Sequence, residues 1–272
     1  MRILEKLPTS TELFSLSVGK ERNLKKDTMK IYSYQGLSVM VGIISGIFIA
    51  RTLGPEGKGV VDLFILLTAL IAEFGLLGVN SGFFFYLTNQ HKPLDEIHGS
   101  AIGYSLIFGI GIAVIATLLI SFWQALFPGI HKNFIFLAFL LTPLLFYKGL
   151  WQNLMIGINL APTGYKFQFL FSTAGALGIF LLWQGRILTS RNAIYLSAGI
   201  VFLACSIGFI ILGKNSNFHL RLSKPLVSDS LKYGLKVYPG FIVNFLHFRF
   251  DQLMINWFIG ASGVGLYALS VK

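Results

Sequence analysis

Charged side chains that stand inside apolar runs are the residues of this sequence most able to do chemistry. Lys148 and Arg249 are cations, and Glu73 and Asp251 are carboxylates, each surrounded by mostly apolar residues. A charge at the centre of a bilayer costs about 2.5 to 3.5 kcal/mol on insertion scales, so such groups usually face a partner or a cavity. A buried arginine presents a planar fork that matches phosphate oxygens, whereas buried carboxylates can exchange protons or Na⁺.

No arrangement typical of an enzyme or a metal site accompanies these charges. Cys205 is the single cysteine and lies in an apolar run, which excludes a disulfide framework and a cysteine-rich metal site. No histidine has the spacing to a cysteine or a glutamate that a metal would need. We therefore expect no catalytic residues, no metal and no cofactor. The histidines, which fall mostly in predicted loops, are His91, His98, His131, His219 and His247.

Three polar residues recur on one face of the second predicted helix. Asp62, Glu73 and Asn80 are spaced by 11 and 7 residues, which returns each to within about 20° of the same direction at 100° per residue. Such a polar face is unfavourable in contact with lipid. It is either a polar seam buried between helices or the lining of a cavity, and the sequence leaves both interpretations open.

A second polar stripe surrounds Lys148 on the fourth predicted helix. Its members are spaced by three and four residues, and they share one helical face. Lys148 could be a snorkelling residue whose ammonium reaches an interface, but it lies ten or more residues from either predicted helix end. That distance favours a cavity lining. The stripe consists of Lys148, Trp151, Gln152, Met155 and Asn159.

The run 238–259 carries two stripes. Arg249 and Asp251 are two residues apart, so they point to different faces and cannot pair well within one helix. We expect Asp251 to pair with His247, one turn earlier. For Arg249 we expect either Glu73 or a phosphate of a substrate. The stripes are Asn244, His247 and Asp251, and Arg249, Gln252 and Asn256.

The composition identifies the kind of protein that must position these groups. Of 272 residues, 54% are hydrophobic and 12% are charged, whereas soluble domains carry roughly 25% charged residues. Runs near the ~20 residues that a bilayer crossing requires recur along the chain. The sequence therefore predicts an all-α, polytopic transmembrane helical bundle. The runs are 31–50, 60–88, 99–127, 133–158, 167–185, 192–213 and 238–259, and an eighth begins at Gly265.

Four segments follow from these runs. A basic leader precedes the first helix, and it is either a cytoplasmic tail or a short surface helix. A first bundle of six helices is joined by a basic cytoplasmic linker to helix seven and the beginning of helix eight. The segments are 1–30 (leader), 31–213 (first bundle), 214–237 (linker) and 238–272 (start of a second bundle).

The distribution of basic residues predicts the orientation. With the N-terminus inside, most of the 22 Lys and Arg residues fall in cytoplasmic segments, as the positive-inside rule requires. Basic loops beside anionic lipid account for the net charge of +11. We therefore expect a multi-pass protein of the inner (plasma) membrane with a cytoplasmic N-terminus and with no nucleic-acid partner.

Glycines in two segments indicate an internal repeat. A shift of 206 residues places 53–63 on 259–269, so that three glycines fall on three glycines. They suit a tight hairpin, because glycine allows positive backbone φ and close approach, and Pro55 presets the turn. Parallel repeats are common in transporters. The predicted hairpin residues are Gly54, Pro55, Gly57 and Gly59, and Gly260, Gly263 and Gly265.

Two stretches resemble a known family. "RTLGPEGKGVVDLFILLTALIAEFGLLGVNSG" (51–82) and "FDQLMINWFIGASGVGLYALS" (250–270) resemble the first hairpin of each bundle in polysaccharide-repeat-unit flippases. These are the O-antigen and capsule exporters of the multidrug/oligosaccharidyl-lipid/polysaccharide exporter superfamily. The resemblance implies a MATE-like architecture of two six-helix bundles around a central cavity. It also implies that an undecaprenyl-pyrophosphate-linked oligosaccharide crosses the inner membrane by alternating access.

The family implies the partners and a longer protein. The partners are the lipid-linked oligosaccharide, the lipid bilayer, Na⁺ or H⁺ as a coupling ion, and a glycan polymerase or glycosyltransferase. Such transporters have at least twelve spans, so this chain is expected to be an N-terminal fragment that does not transport alone. The cavity candidates are Arg249, Lys148, Asp251, Glu73, His247, Gln152, Asn244 and Trp151.

Two other functions stay open. A cation-coupled multidrug exporter of the same fold would favour buried carboxylates without compensating basic residues, and Glu73 and Asp251 are compatible with it. A non-transporting membrane scaffold would need no buried charge. Lys148 and Arg249 argue against the scaffold, and the lack of any acidic residue in the first predicted helix (31–50) argues against the exporter.

Overall fold

The computed structural model describes residues 24–216 and 222–270, and these residues are helical apart from short turns. The prediction of an all-helical chain is confirmed for them. Residues 1–23 of the predicted leader lie outside the described residues, as does His219. The helices are α1 (Leu24–Gly75), α2 (Val79–Thr88), α3 (Leu94–Leu118), α4 (Ile120–Leu126), α5 (Lys132–Leu140), α6 (Thr142–Gly157), α7 (Ala161–Gln184), α8 (Ser190–Lys214), α9 (Lys224–Phe258) and α10 (Ala261–Ser270).

Helix α1 is broken at Gly54. Its 52 residues would extend about 78 Å if straight, more than twice the ~30 Å hydrocarbon thickness of a bilayer. Gly54 has φ 69° and ψ −179°, a conformation that glycine adopts without the steric cost of a Cβ. The break separates a first arm (24–53) from a second arm (55–75), and Pro55 lies at the first helical position of the second arm, where its missing N–H costs nothing.

The direction of each helix follows from the order of its contacts along a neighbour. The first arm runs parallel to α7, and α7 is antiparallel to α8. Helix α8 runs parallel to α6, which in turn runs parallel to the second arm. The two arms therefore run in opposite directions. The contacts are Tyr34 with Phe169, Phe48 with Phe180, Gly175 with Ile200, Gly178 with Leu196, Leu144 with Cys205, Trp151 with Gly208, Gly75 with Phe146, and Leu76 with Gly149.

The second predicted helix is interrupted. The sequence predicts a continuous helix over 60–88, but α1 ends at Gly75 and α2 begins at Val79. Gly78 has φ 73°, and a Cβ built on it would lie 2.5 Å from the carbonyl oxygen of Gly234. The turn therefore lets α9 approach the backbone closely, a tertiary contact that hydropathy does not reveal.

The fourth predicted helix is also divided. Helices α5 and α6 meet at an angle of 48°, and Pro143 stands in the first turn of α6. Proline has no N–H to donate and its ring clashes with the preceding turn, so a helix bends or restarts there. The third predicted run, 99–127, is similarly divided between α3 and α4.

The segment expected to be a polar linker is largely helical. Helix α9 begins at Lys224 and continues through Pro239 to Phe258. Leu226, Val227 and Ser230 are buried, and the ring of Tyr233 stacks on Phe85 of α2 with centroids 4.4 Å apart. The segment therefore forms an amphipathic helix that packs on α2, because basic residues occupy only its outer face.

The described residues contain four helices long and apolar enough to cross a membrane, or five if the bent pair α5 and α6 forms one span. Many large apolar side chains remain exposed on these helices, among them Leu106, Ile110 and Leu118 of α3. Exposed apolar faces of this kind suit lipid rather than water. The length and composition of these helices indicate a membrane-embedded helical protein.

Candidate functional site

The stripe around Lys148 divides into a packed part and an accessible part. Trp151 and Met155 are fully buried, and the Trp151 ring lies against Gly208 of α8. Lys148 and Gln152 are half-buried. Trp151, a cavity candidate in the sequence, presents no accessible ring face here, because packing in the bundle interior covers the ring. Asn159, the last member of the stripe, lies beyond the end of α6 with φ 61°.

A polar cleft lies beside the accessible part of the stripe. It has a volume of about 210 Å³ and opens between the end of α6 and the start of α7. Gln152 lines it, and so do two neighbours on α7, Tyr165 and Gln168. The other lining residues are Asn153, Met155, Ile156, Ala161 and Gly164. The cleft can therefore offer hydrogen bonds without charge.

His98 is a buried polar residue that sequence reasoning placed in a loop. It lies on α3 with no exposed surface. Its Nε2 is 3.0 Å from the Tyr147 hydroxyl on α6, and its Nδ1 is 3.3 Å from Ser216 Oγ beyond the end of α8. His98 therefore ties three segments together next to Lys148. The signal that could have found it is its spacing of three and seven residues to Ala101 and Ser105, which are both buried on the same helical face.

Lys58 and Asp62 form an ion pair in the second arm of α1. The sequence placed Lys58 in an outer loop, but only 1% of it is exposed. Lysine is almost never so buried without a partner. The pairing also corrects the stripe predicted for Asp62: Glu73 is exposed, and Asn80 belongs to α2 beyond the turn that begins at Leu76. These residues do not form one surface.

Replacing Lys58 by methionine is expected to destabilise the fold by about 3 kcal/mol or more, because it leaves the Asp62 carboxylate buried without a cation. The change in the free energy of unfolding is measured by denaturant titration in detergent, with circular dichroism as the signal. Lys58→Met combined with Asp62→Leu should recover most of the loss. Lys232→Met is the matched control: its pair with Asp229 is exposed, and such pairs contribute about 0 to 1 kcal/mol. Equal loss in the single and double variants would contradict the pairing.

On α9 the predicted partners are replaced by others. Asp251 accepts a hydrogen bond from the Tyr267 hydroxyl of α10 and another from the Gln252 backbone N–H at 2.7 Å. His247, its predicted partner, is exposed and lies beside the Phe248 ring. The prediction failed because α10 brings a phenol to the carboxylate, a contact between helices that spacing within α9 cannot show.

Arg249 and Asn244 are exposed on α9. Among residues 24–216 and 222–270 no ion pair joins Arg249 to Glu73, so the pair proposed from the sequence does not form. Gln252 and Asn256, of the same predicted stripe, are buried. Both side-chain amide atoms of Asn256 lack a hydrogen-bond partner within the described residues.

The two glycine segments adopt matching local structures. Gly54 and Gly260 both have positive φ, 69° and 88°. A Cβ on Gly57 would meet Leu53, and one on Gly263 would meet Ile259, the residue equivalent to Leu53 after the shift. The correspondence therefore extends from glycine spacing to backbone conformation.

The same segments also meet each other. A Cβ on Gly59 would lie 1.7 Å from the carbonyl oxygen of Ala261, and one on Gly265 would lie 2.0 Å from that of Pro55. Because Ala261 and Gly265 are the equivalents of Pro55 and Gly59, the contact is reciprocal. Reciprocal contacts of this type characterise elements related by a two-fold axis.

Comparisons with known proteins were negative. No known protein family matches the chain, and neither the curated proteins nor the solved structures include a significant match. Within the described parts of the chain, no group of three or more His, Cys, Asp or Glu residues could hold a metal ion. The functional interpretation therefore rests on the residues above and their surroundings.

Proposed function

We propose that the chain is part of a flippase that moves an undecaprenyl-pyrophosphate-linked oligosaccharide across the inner membrane for surface polysaccharide synthesis. The observation that carries the proposal is Lys148, a half-buried cation in an apolar bundle, one helical turn before the uncharged polar cleft at Gln152. A pyrophosphate entering the bilayer plane loses water and needs cations to replace it, and its sugars need neutral hydrogen-bonding groups.

The cations of the bundle differ in their availability. Lys58 is already neutralised by Asp62. Within residues 24–216 and 222–270, neither Lys148 nor Arg249 forms an ion pair with a carboxylate. Lys148 is half-buried and Arg249 is exposed on α9, so an arriving anion displaces no carboxylate of these segments from either residue. The proposal assigns the pyrophosphate to Lys148 first and to Arg249 second.

The repeat supports the MATE-like architecture that we propose for the protein. Positive φ at Gly54 and Gly260 and the reciprocal contact of Gly59 with Gly265 are what two bundles related by an axis along the membrane normal would produce. In this arrangement α9 and α10 are the first helices of the second bundle. Separation and closure of the glycine contact would then accompany alternating access.

A second candidate is a cation-coupled multidrug exporter, which the half-buried Asp251 favours. Its carboxylate is held by Tyr267 and could bind a proton or Na⁺. The two candidates differ in what fails when the gene is deleted. If the chain is part of a flippase, deletion of its gene should remove surface polysaccharide and leave the lipid-linked precursor in the cytoplasmic leaflet. Unchanged polysaccharide with increased sensitivity to cationic drugs would instead support the exporter.

The orientation remains a prediction, and reporter fusions test it. A reporter fused after Lys92, in the turn between α2 and α3, should report the cytoplasm, and one after Ile187, between α7 and α8, should report the outside. Three crossings separate the two turns: α3, the bent pair α5 and α6, and α7. Helix α3 is antiparallel to α6, since His98 contacts Tyr147 and Gly109 contacts Pro143. Helix α7 is antiparallel to α8 and therefore also to α6. Signals of the opposite sense at both sites would reverse the predicted N-in orientation.

A further inference from the structure

The cleft between α6 and α7 combines four uncharged polar side chains with four apolar or glycine residues. Gln152 and Asn153 reach it from the end of α6, and Tyr165 and Gln168 from the first half of α7. None of the residues that line it is charged. Gln152, Asn153 and Tyr165 are half-buried and Gln168 is exposed, so the site offers these amide and hydroxyl groups to any polar ligand that reaches it.

The hydrogen-bonding capacity of the cleft is largely unused. Asn153 donates to the carbonyl oxygen of Gly149 at 3.0 Å, which leaves its side-chain oxygen as an acceptor. No hydrogen bond within the described residues engages the side chain of Gln152, Tyr165 or Gln168. Amides both donate and accept, and a phenol can do either. This set matches the hydroxyl groups of a sugar, which also do both.

The volume of the cleft can be compared with that of a sugar ring. A cavity of about 150 Å³ accommodates a benzene ring, whereas drug-sized ligands occupy roughly 300 to 1,000 Å³. The volume of about 210 Å³ therefore suits one six-membered ring with its substituents. A free phosphate or a nucleotide would need a cation among the lining residues, and the cleft has none.

We propose that this cleft binds one uncharged pyranose unit of the lipid-linked substrate while Lys148 holds its pyrophosphate. The inference rests on the proposed function and specifies which part of the substrate each group contacts. Lys148 precedes Gln152 by four residues, about 6 Å along the helix axis. That separation places the anion and the first sugar ring on neighbouring turns of α6, with the Tyr165 ring available to cover an apolar sugar face.

The test compares two lipids and uses the chain in lipid nanodiscs. The probes are undecaprenyl pyrophosphate and undecaprenyl-pyrophosphate-linked N-acetylglucosamine, with affinities measured by native mass spectrometry. The unaltered chain should bind the sugar-bearing lipid about tenfold more tightly, as one or two additional hydrogen bonds would provide. Tyr165→Phe combined with Gln168→Ala should abolish this preference and leave the affinity for undecaprenyl pyrophosphate unchanged.

Two controls separate the sugar site from the anion site. Gln184→Ala changes an exposed glutamine at the far end of α7 and should leave the tenfold preference intact. Lys148→Ala should weaken binding of both lipids equally. If the unaltered chain shows no preference, or the double variant keeps it, the sugar site is wrong although the anion site stands. If the unaltered chain binds neither lipid, the proposed function itself is contradicted.

Discussion

Replacing Lys148 by alanine is expected to reduce export of the lipid-linked oligosaccharide about tenfold or more while the amount of folded protein in the membrane changes little. A hydrogen bond to a charged group contributes about 1.5 to 3 kcal/mol, which corresponds to a factor of roughly 10 to 100. Lys148 is half-buried and packs less tightly than its fully buried neighbours Trp151 and Met155. Its truncation should therefore affect binding more than folding.

The charge, rather than the shape of the side chain, is the property that this prediction concerns. Lys148→Arg should retain most of the export, and Lys166→Ala, which removes an exposed lysine from α7, should have no effect. Arg249→Ala should cause a smaller loss than Lys148→Ala, because Arg249 is exposed on α9 and is the second of the two cations proposed to contact the pyrophosphate. Surface polysaccharide per cell, normalised to membrane protein, measures all four. If the Lys148→Ala variant exports as much polysaccharide as the parental protein, the prediction is wrong and Lys148 serves only in packing.

Introducing a methyl group at the glycine crossing should have a comparably large effect. Gly59→Ala places a Cβ 1.7 Å from the carbonyl oxygen of Ala261, and Gly265→Ala places one 2.0 Å from that of Pro55. Backbone atoms cannot yield as a flexible side chain can, so the two helices must separate. Overpacking of this type costs about 1 to 3 kcal/mol, and loss of the contact should impair export in either variant.

Because the contact between Gly59 and Gly265 is reciprocal, a double variant tests whether the two glycines act together. Because both substitutions separate the same pair of segments, the double variant should lose less stability than the sum of the single losses. Thermal unfolding in detergent measures this. Gly42→Ala is the matched control, since nothing lies within 4 Å of the Cβ it would add. Additive losses in the double variant would indicate two unrelated contacts.

The coarse fold could be predicted from the sequence because hydropathy and charge depend on residue type alone. The absence of a water-soluble surface pattern implies helices in a membrane, and the described residues are helical with four to five candidate spans. The interruptions could not be predicted in the same way. The turn at Leu76 to Gly78 depends on the approach of Gly234, more than 150 residues later in the chain, and nothing near Gly78 encodes that contact.

Candidate site residues were hardest to place where their partners lie on other helices. Asp251 was expected to use His247 of its own helix, but Tyr267 of α10 is its partner. His98 was assigned to a loop because the predicted run begins at residue 99, and its contacts with Tyr147 and Ser216 come from two other segments. By contrast, Gln152 of the Lys148 stripe lines a cleft, and spacing within one helix is enough to place it on the same face as Lys148.

The most direct test of the proposed function measures transbilayer movement itself. Inverted membrane vesicles are prepared from cells that make the whole flippase of which the chain is proposed to be part. They are loaded with radiolabelled undecaprenyl-pyrophosphate-linked oligosaccharide on the outer, originally cytoplasmic, leaflet. A pyrophosphatase that cannot cross the membrane then reports the fraction that remains accessible. The lipid should become protected with time in vesicles that contain the unaltered protein, and about tenfold more slowly with Lys148→Ala. Equal rates of protection in vesicles with and without the protein would contradict its role as a flippase.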